Sequence, residues 1–387
     1  MIPKNAAVLT ASLFVTCAFP MLGHAADDAA QIKPLVDAAI QPVMEKYNIP
    51  GMAIGVISGG NSYIFNYGLA SKKPAKPVTA NTIFEVGSIS KTFTTTLAAY
   101  AQVNGQLSLS DTTSKYLPAL QGTEFGEIQL FQLATHTPGG FPLQVPDDVK
   151  NDDQMMTYLK NWKPAYEPGT MRTYANPSIG MLGVITANAM KKDFASLMEG
   201  KLFPALGLSS TYIDVPKSKM KDYAFGYKSN DKPVRVSKAI LSAEAYGVKT
   251  TATDLVRYMQ ANMNMVKLDG KLQQAIADTH AGYFKVGKMT QDLLWEQYAY
   301  PASLDDLRYG NSRELSSKPV PVERLDPPSA PRNDVWINKT GSTNGFGAYV
   351  AFVPEKRIGI VILANRYYPN EERISAAYEI LTKLDSK

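Results

Sequence analysis

Cysteine and histidine are scarce. The 387-residue chain holds one cysteine, Cys17, and three histidines, His24, His136 and His280. Cys17 and His24 fall in a leader-like N-terminus, so the chain beyond it has no thiol for a disulfide, a nucleophile or a metal. The two remaining histidines are too few for a catalytic zinc, which draws on several and often closely spaced ligands. No metal and no other cofactor is expected. A Ser-His-Asp triad could use only His136 or His280. The first lies in the turn-like Thr135-His136-Thr137-Pro138-Gly139-Gly140, which reads as structural, and the second has no evident partner.

Charge of one sign is also lacking. The 40 basic residues barely exceed the 35 acidic ones, and no long block of like charge occurs. That balance argues against nucleic acid as a partner and suits a small anionic substrate. After the N-terminus there is no apolar run of about 18 residues, so no membrane span and no stable membrane association are expected.

The N-terminus has Lys4, an apolar stretch from Ala6 to Leu22, and Gly23-His24-Ala25 ahead of Ala26-Asp27-Asp28. This is the pattern of a secretory leader over residues 1–25, cleaved after Ala25, with a periplasmic destination. Pro20 and the short run disfavour a membrane anchor.

Apolar spacing predicts an amphipathic helix over 30–47, then strands over 52–58 and 62–70 joined at Gly59-Gly60-Asn61. The middle of the chain reads as helices, over 125–135, 152–161, 178–191, 194–203, 252–265 and 271–281, separated by long loops. Strands return over 335–340, 346–353 and 357–363, followed by a helix over 372–384. The expected fold is α/β (α+β): an antiparallel sheet flanked by N- and C-terminal helices, with a mainly helical region inserted and a cleft between the two. The sheet region takes residues 26–104 and 321–387, and the insertion takes 105–320.

Within Glu85-Val-Gly-Ser-Ile-Ser-Lys-Thr-Phe, Gly87 permits a sharp bend and Ser88 opens a helix that becomes apolar at Leu97. Lys91 lies three residues on, on the same helix face. A serine hydroxyl needs a base to take its proton, and a desolvated lysine can have the lowered pKa required. Spacing alone identifies nothing, because Ser-x-x-Lys recurs at Ser218–Lys221 and Ser229–Lys232. Tyr-x-Asn likewise occurs at Tyr174–Asn176, Tyr309–Asn311 and Tyr368–Asn370. Lys339-Thr340-Gly341 is the only Lys-Thr-Gly, and it ends a predicted strand.

The ordered set of Ser88/Lys91, Tyr174-Ala175-Asn176 and Lys339-Thr340-Gly341 resembles the serine β-lactamase and penicillin-binding protein superfamily. The Tyr-Ala-Asn motif is similar to that of class C β-lactamases of the AmpC type. Segments 140–146, 243–248, 345–354 and 363–370 resemble the same class, so the likeness covers the chain from about residue 30 onward.

The resemblance implies a monomeric hydrolase of β-lactam antibiotics, cephalosporins preferentially, acting through a serine acyl-enzyme and conferring resistance. Ser88 would be the nucleophile, Lys91 and Tyr174 the acid/base network, and Lys339 a catalytic cation. The backbone N–H groups of Ser88 and Ser342 would form the oxyanion hole. Gln144 and Asn176 would bind the amide of the substrate side chain, and Tyr246 would line that pocket. Thr340, Asn370 and Arg373 would hold the carboxylate, with Gly341 on the bordering strand. Whether Lys91 or Tyr174 takes the serine proton stays open. Asn338 stands where some relatives have His, and Asn344 where others have Gly; both are expected to border the site. Segment 292–296 departs from the glycine-richer form of other relatives. A D-alanyl-D-alanine carboxypeptidase, a β-lactamase-like esterase and an acylated sensor are the competing readings. The intact Lys-Thr-Gly disfavours the esterase, and the want of a membrane helix disfavours the sensor.

Overall fold

The computed structural model describes residues 22–386. The leader expected over 1–25 lies, up to residue 21, outside the described residues. A ten-stranded antiparallel sheet runs in the order Glu323–Ser329, Gly282–Val286, Met289–Asp292, Glu296–Ala299, Val335–Ser342, Gly347–Val353, Ile358–Ala364, Gly51–Ser58, Asn61–Lys72 and Ala75–Pro77. The first and last parts of the chain meet inside it, where Gly51–Ser58 pairs with Ile358–Ala364.

Both faces of the central strands are covered, which is why Gly347–Val353 and Ile358–Ala364 are apolar at nearly every position. Side chains alternate between the faces. Ile54, Val56, Ala351, Ile360 and Ile362 pack under the terminal helices Leu22–Lys46 and Asn370–Asp385. Ile57, Val350, Phe352, Val361 and Leu363 face the helical side, against residues of Ser90–Val103 and Ala252–Asn262. Among the described residues, no helix is long and apolar enough to cross a membrane.

The expected sheet with covering terminal helices is present, but the middle of the chain is less helical than its spacing suggests. Three strands between residues 282 and 299 join the main sheet. They carry buried Gln291, Asp292, Glu296 and Gln297, so they lack the apolar alternation by which strands are recognised. The helix expected over 125–135 is broken into a short turn, Phe125–Glu127, and Leu130–Ala134, because Ile128 and Gln129 are extended and Gln129 caps the second piece with Gln132. The helix expected over 194–203 contains a wider turn at Met198–Leu202 and runs on to Leu206 before Gly207 ends it.

His280 is packed into this core with its Nε2 3.0 Å from Asn262 Oδ1 and its ring against Trp295 and Phe352. Burial pushes its imidazole down to about 4. Between that value and the ordinary histidine value of about 6.5, the unfolded chain binds the extra proton and the folded chain does not. Stability must therefore fall as pH drops through this window. Urea unfolding at stepped pH should show the parent losing up to roughly 3 kcal/mol more than His280→Gln between neutral pH and pH 4.

Candidate active site

A cleft of about 1290 Å³ opens between the sheet and the helical side, and Ser88, Tyr174 and Lys339 all line it. Ser88 occupies a single tight turn, Gly87–Ile89, that leads directly into the helix Ser90–Val103. The strand Val335–Ser342 lies against that turn with almost no space between the two backbones. Gly87 has φ +51°, and a Cβ there would fall 2.4 Å from both the nitrogen and the oxygen of Ser342. A Cβ on Gly341 would fall 2.0 Å from the Val86 carbonyl oxygen and 3.1 Å from the Ser88 nitrogen. Only glycine allows this approach, which draws the backbones of Ser88 and Ser342 together.

Lys91 is fully buried on the first turn of the helix. Its Nζ donates to Ser88 Oγ at 2.8 Å and to the Ala245 carbonyl at 2.9 Å. The segment carrying Ala245 is fixed to the same helix, since Thr94 Oγ1 donates to the Glu244 carbonyl and Val248 N–H donates to Ser90 Oγ. Burial pushes the Lys91 amine down, Tyr174 opposes this, and the Lys339 charge adds to the fall, bringing it to about 8.

Three cations surround the Tyr174 ring. Lys339 Nζ is 5.1 Å, Lys91 Nζ 5.3 Å and the Arg172 guanidinium 5.5 Å from its centroid. Burial alone would raise the phenol, but Lys339, then Lys91, then a hydrogen bond with Ser88 outweigh it and bring Tyr174 down to about 8. Glu296 partly offsets the cations: its Oε1 lies 3.1 Å from Arg172 Nη2 and 3.6 Å from Lys339 Nζ.

On the helical side of the cleft, Asn176 Nδ2 donates to Gln144 Oε1 at 2.8 Å, and Asn176 Oδ1 is buried with no protein partner. Tyr246 ends a short helix, Ser242–Tyr246, and is half-buried in the cleft wall. At the other side Thr340 and Gly341 border the cleft, as does Asn370, whose Nδ2 donates to the Asn311 carbonyl.

Arg373 differs from its expected position. It is fully buried and is not part of the cleft wall. Its Nη1 donates to the Gly341 carbonyl at 2.8 Å and to Ser342 Oγ at 2.9 Å, and Nη2 donates to the Tyr368 carbonyl. These acceptors take both terminal nitrogens of the guanidinium behind the strand, so it supports Gly341 and Ser342 where contact with a substrate carboxylate was expected. Asn338 also does not border the cleft. It is buried, accepts from Asn311 Nδ2 and donates to the Glu296 carbonyl. Asn344 does line the cleft.

Arg172, Glu296 and Glu85 are among the polar residues of the cleft wall to which the sequence reading gave no role. Glu85 accepts from the Tyr223 hydroxyl, Val236 N–H and Thr343 Oγ1, tying the loop beside the cleft to the Ser342 strand. The position of Glu85 just before the Ser88 motif was the one available signal.

The contact between turn and strand sets a direct test. Gly341→Ala should push the strand off the Ser88 turn, costing about 1–3 kcal/mol of stability and lowering kcat/KM by roughly 10–100-fold. Thermal unfolding and steady-state hydrolysis check the two effects separately.

The family model described as Beta-lactamase matches residues 36–384. The beta-lactamase of Pseudomonas fluorescens is 51% identical over 357 residues, covering 92% of this chain and 100% of that protein. A solved class C beta-lactamase in complex with cefoxitin is 51% identical with a TM-score of 0.90, covering 92% of this chain and 99% of that one. The structure of a D-alanine carboxypeptidase AmpC from Burkholderia cenocepacia is 53% identical with a TM-score of 0.88, at the same coverage of 92% and 99%. With identities of this size over nearly the whole of both chains, the protein belongs to the beta-lactamase family, within class C, and is a hydrolase of the β-lactam amide bond.

Proposed function

We propose that this enzyme hydrolyses β-lactams, cephalosporins preferentially, through an acyl-enzyme on Ser88. The observation that carries the serine mechanism is the 2.8 Å hydrogen bond from the buried Lys91 amine to Ser88 Oγ. The lowered amine of Lys91 and the lowered phenol of Tyr174 act on each other's charge as a coupled pair beside that hydroxyl.

In this mechanism Ser88 Oγ attacks the lactam carbonyl carbon while its proton passes to the Lys91/Tyr174 pair. Charge developing on the carbonyl oxygen is met by the backbone N–H groups of Ser88 and Ser342. The C–N bond then breaks, and the ring nitrogen takes the proton from the pair. A water molecule, oriented by Tyr174, attacks the ester and loses its proton to the pair, which passes a proton to Ser88 Oγ as the ester C–O bond breaks. Lys339 lowers the cost of negative charge on Tyr174. Gln144 and Asn176 bind the side-chain amide, Tyr246 lines that pocket, and Thr340 and Asn370 bind the carboxylate. The leader at residues 1–25 directs the chain to the periplasm, where it acts as a monomer.

A second substrate class has one specific support, the carboxypeptidase name borne by the Burkholderia structure at 53% identity. The same acyl-transfer groups would cleave a terminal D-alanyl-D-alanine bond.

Purified protein should turn over a cephalosporin repeatedly, and Ser88→Ala should lower kcat by at least about 10³-fold. Undiminished turnover in that variant would exclude Ser88 as nucleophile, and a stoichiometric burst without turnover would exclude the lactamase reading in favour of the peptidase or sensor. Tyr174→Phe should slow deacylation by about 10²–10⁴-fold. Rapid-quench separation of acylation from deacylation checks this, and parent rates in both steps would remove Tyr174 from the acid/base network.

A further inference from the structure

We infer that His136 is a positioning residue for Tyr174, holding the Tyr-Ala-Asn loop through an imidazole nitrogen fixed as a hydrogen-bond acceptor. The inference rests on the acid/base reading of Tyr174. The helix Leu130–Ala134 ends in a reversal in which Thr137 N–H donates to the Gln132 carbonyl and His136 N–H to the Leu133 carbonyl. His136 is the left-handed residue of this reversal, with φ +61°. Glycine is the usual occupant of that position, because it alone takes the conformation without strain. The helix end itself gives no reason for an imidazole, so the side chain must supply something else.

His136 holds both sides of Tyr174, one with its backbone and the other with its imidazole. The His136 carbonyl accepts from Thr173 N–H at 2.8 Å, and His136 Nδ1 accepts from Ala175 N–H at 3.2 Å. The imidazole and phenol rings lie 4.3 Å apart at their centroids. One residue therefore fixes the backbone immediately before and after the phenol and packs against its ring. A backbone N–H can only donate, so Nδ1 must keep its lone pair and the ring proton must sit on Nε2. Nε2 is buried with no protein partner. Burial holds the imidazole neutral, and the charged groups facing the ring, Arg172, Lys91 and Lys339, all cations, add to this. A second proton would place an N–H against the N–H of Ala175.

Two substitutions separate this role from simple packing. His136→Gly relieves the backbone but deletes the acceptor. His136→Asn also tolerates the left-handed conformation and restores an acceptor oxygen near the Nδ1 position. In the folded proteins, His136→Gly should lower kcat for a cephalosporin by roughly 10–100-fold with KM changed less than about threefold. His136→Asn should recover most of that loss. Equal losses in Gly and Asn, or parent kcat in Gly, would overturn the inference.

Tyr174→Phe separates the two readings. If Tyr174→Phe turns over at the parent rate, the acid/base reading itself fails. If Tyr174→Phe is slow but His136→Gly is not, only the positioning role fails. Adding His136→Gly to Tyr174→Phe should cost much less than it costs the parent.

A further measurement uses the parent protein and does not depend on a variant folding. With histidine labelled by ¹⁵N, the His136 signals should show an unprotonated Nδ1 and a protonated Nε2 throughout the active pH range. A proton on Nδ1, in either the neutral or the charged ring, would overturn the inference.

Discussion

The side chain of Lys91 is wholly buried, and a desolvated ammonium persists only where hydrogen-bond acceptors replace its water. Two of its three donor directions are met by Ser88 Oγ and the Ala245 carbonyl. Much of the local architecture follows from keeping those acceptors in place. The segment around Ala245 is fixed to the Lys91 helix by Thr94 and Ser90. The Ser88 turn is held by a strand that two glycines allow to come unusually near.

The second organising feature is an imbalance of buried charge. Lys91, Lys339 and Arg172 surround the Tyr174 ring, and Glu296 is the carboxylate set against them. The cations could not all be buried without that carboxylate, since like charges at such separations repel strongly outside water. Yet one carboxylate does not neutralise three cations. The remaining positive charge favours negative charge at the phenol and on an anionic substrate.

Some of this was readable in the chain and some was not. Ser88 and Lys91 are neighbours on one helix, so their contact followed from a spacing of three. Tyr174 and Lys339 could be joined to them only through likeness to known proteins, because no local pattern reports a meeting across the fold. The terminal helices and central strands carried plain apolar periodicities. The strands between 282 and 299 carried none, since their buried residues include Gln291, Asp292 and Glu296. Arg172, Glu296 and Glu85 look like ordinary polar residues until tertiary contacts bury and pair them. Arg373 shows the opposite problem: the family resemblance implied a ligand for a carboxylate, but its terminal nitrogens are turned to backbone carbonyls. Its position on the helix was legible, while the direction in which its guanidinium pointed was not.

The pairing of Gly51–Ser58 with Ile358–Ala364 has a further consequence. A ribosome releases these two strands about 300 residues apart, so the sheet cannot be completed while most of the chain is still being made. Arg373, which steadies Gly341 and Ser342, emerges later still. Catalytic competence should therefore arrive only once Arg373 has emerged, and nascent molecules or fragments that stop before it should be inert even when much of the helical side has formed.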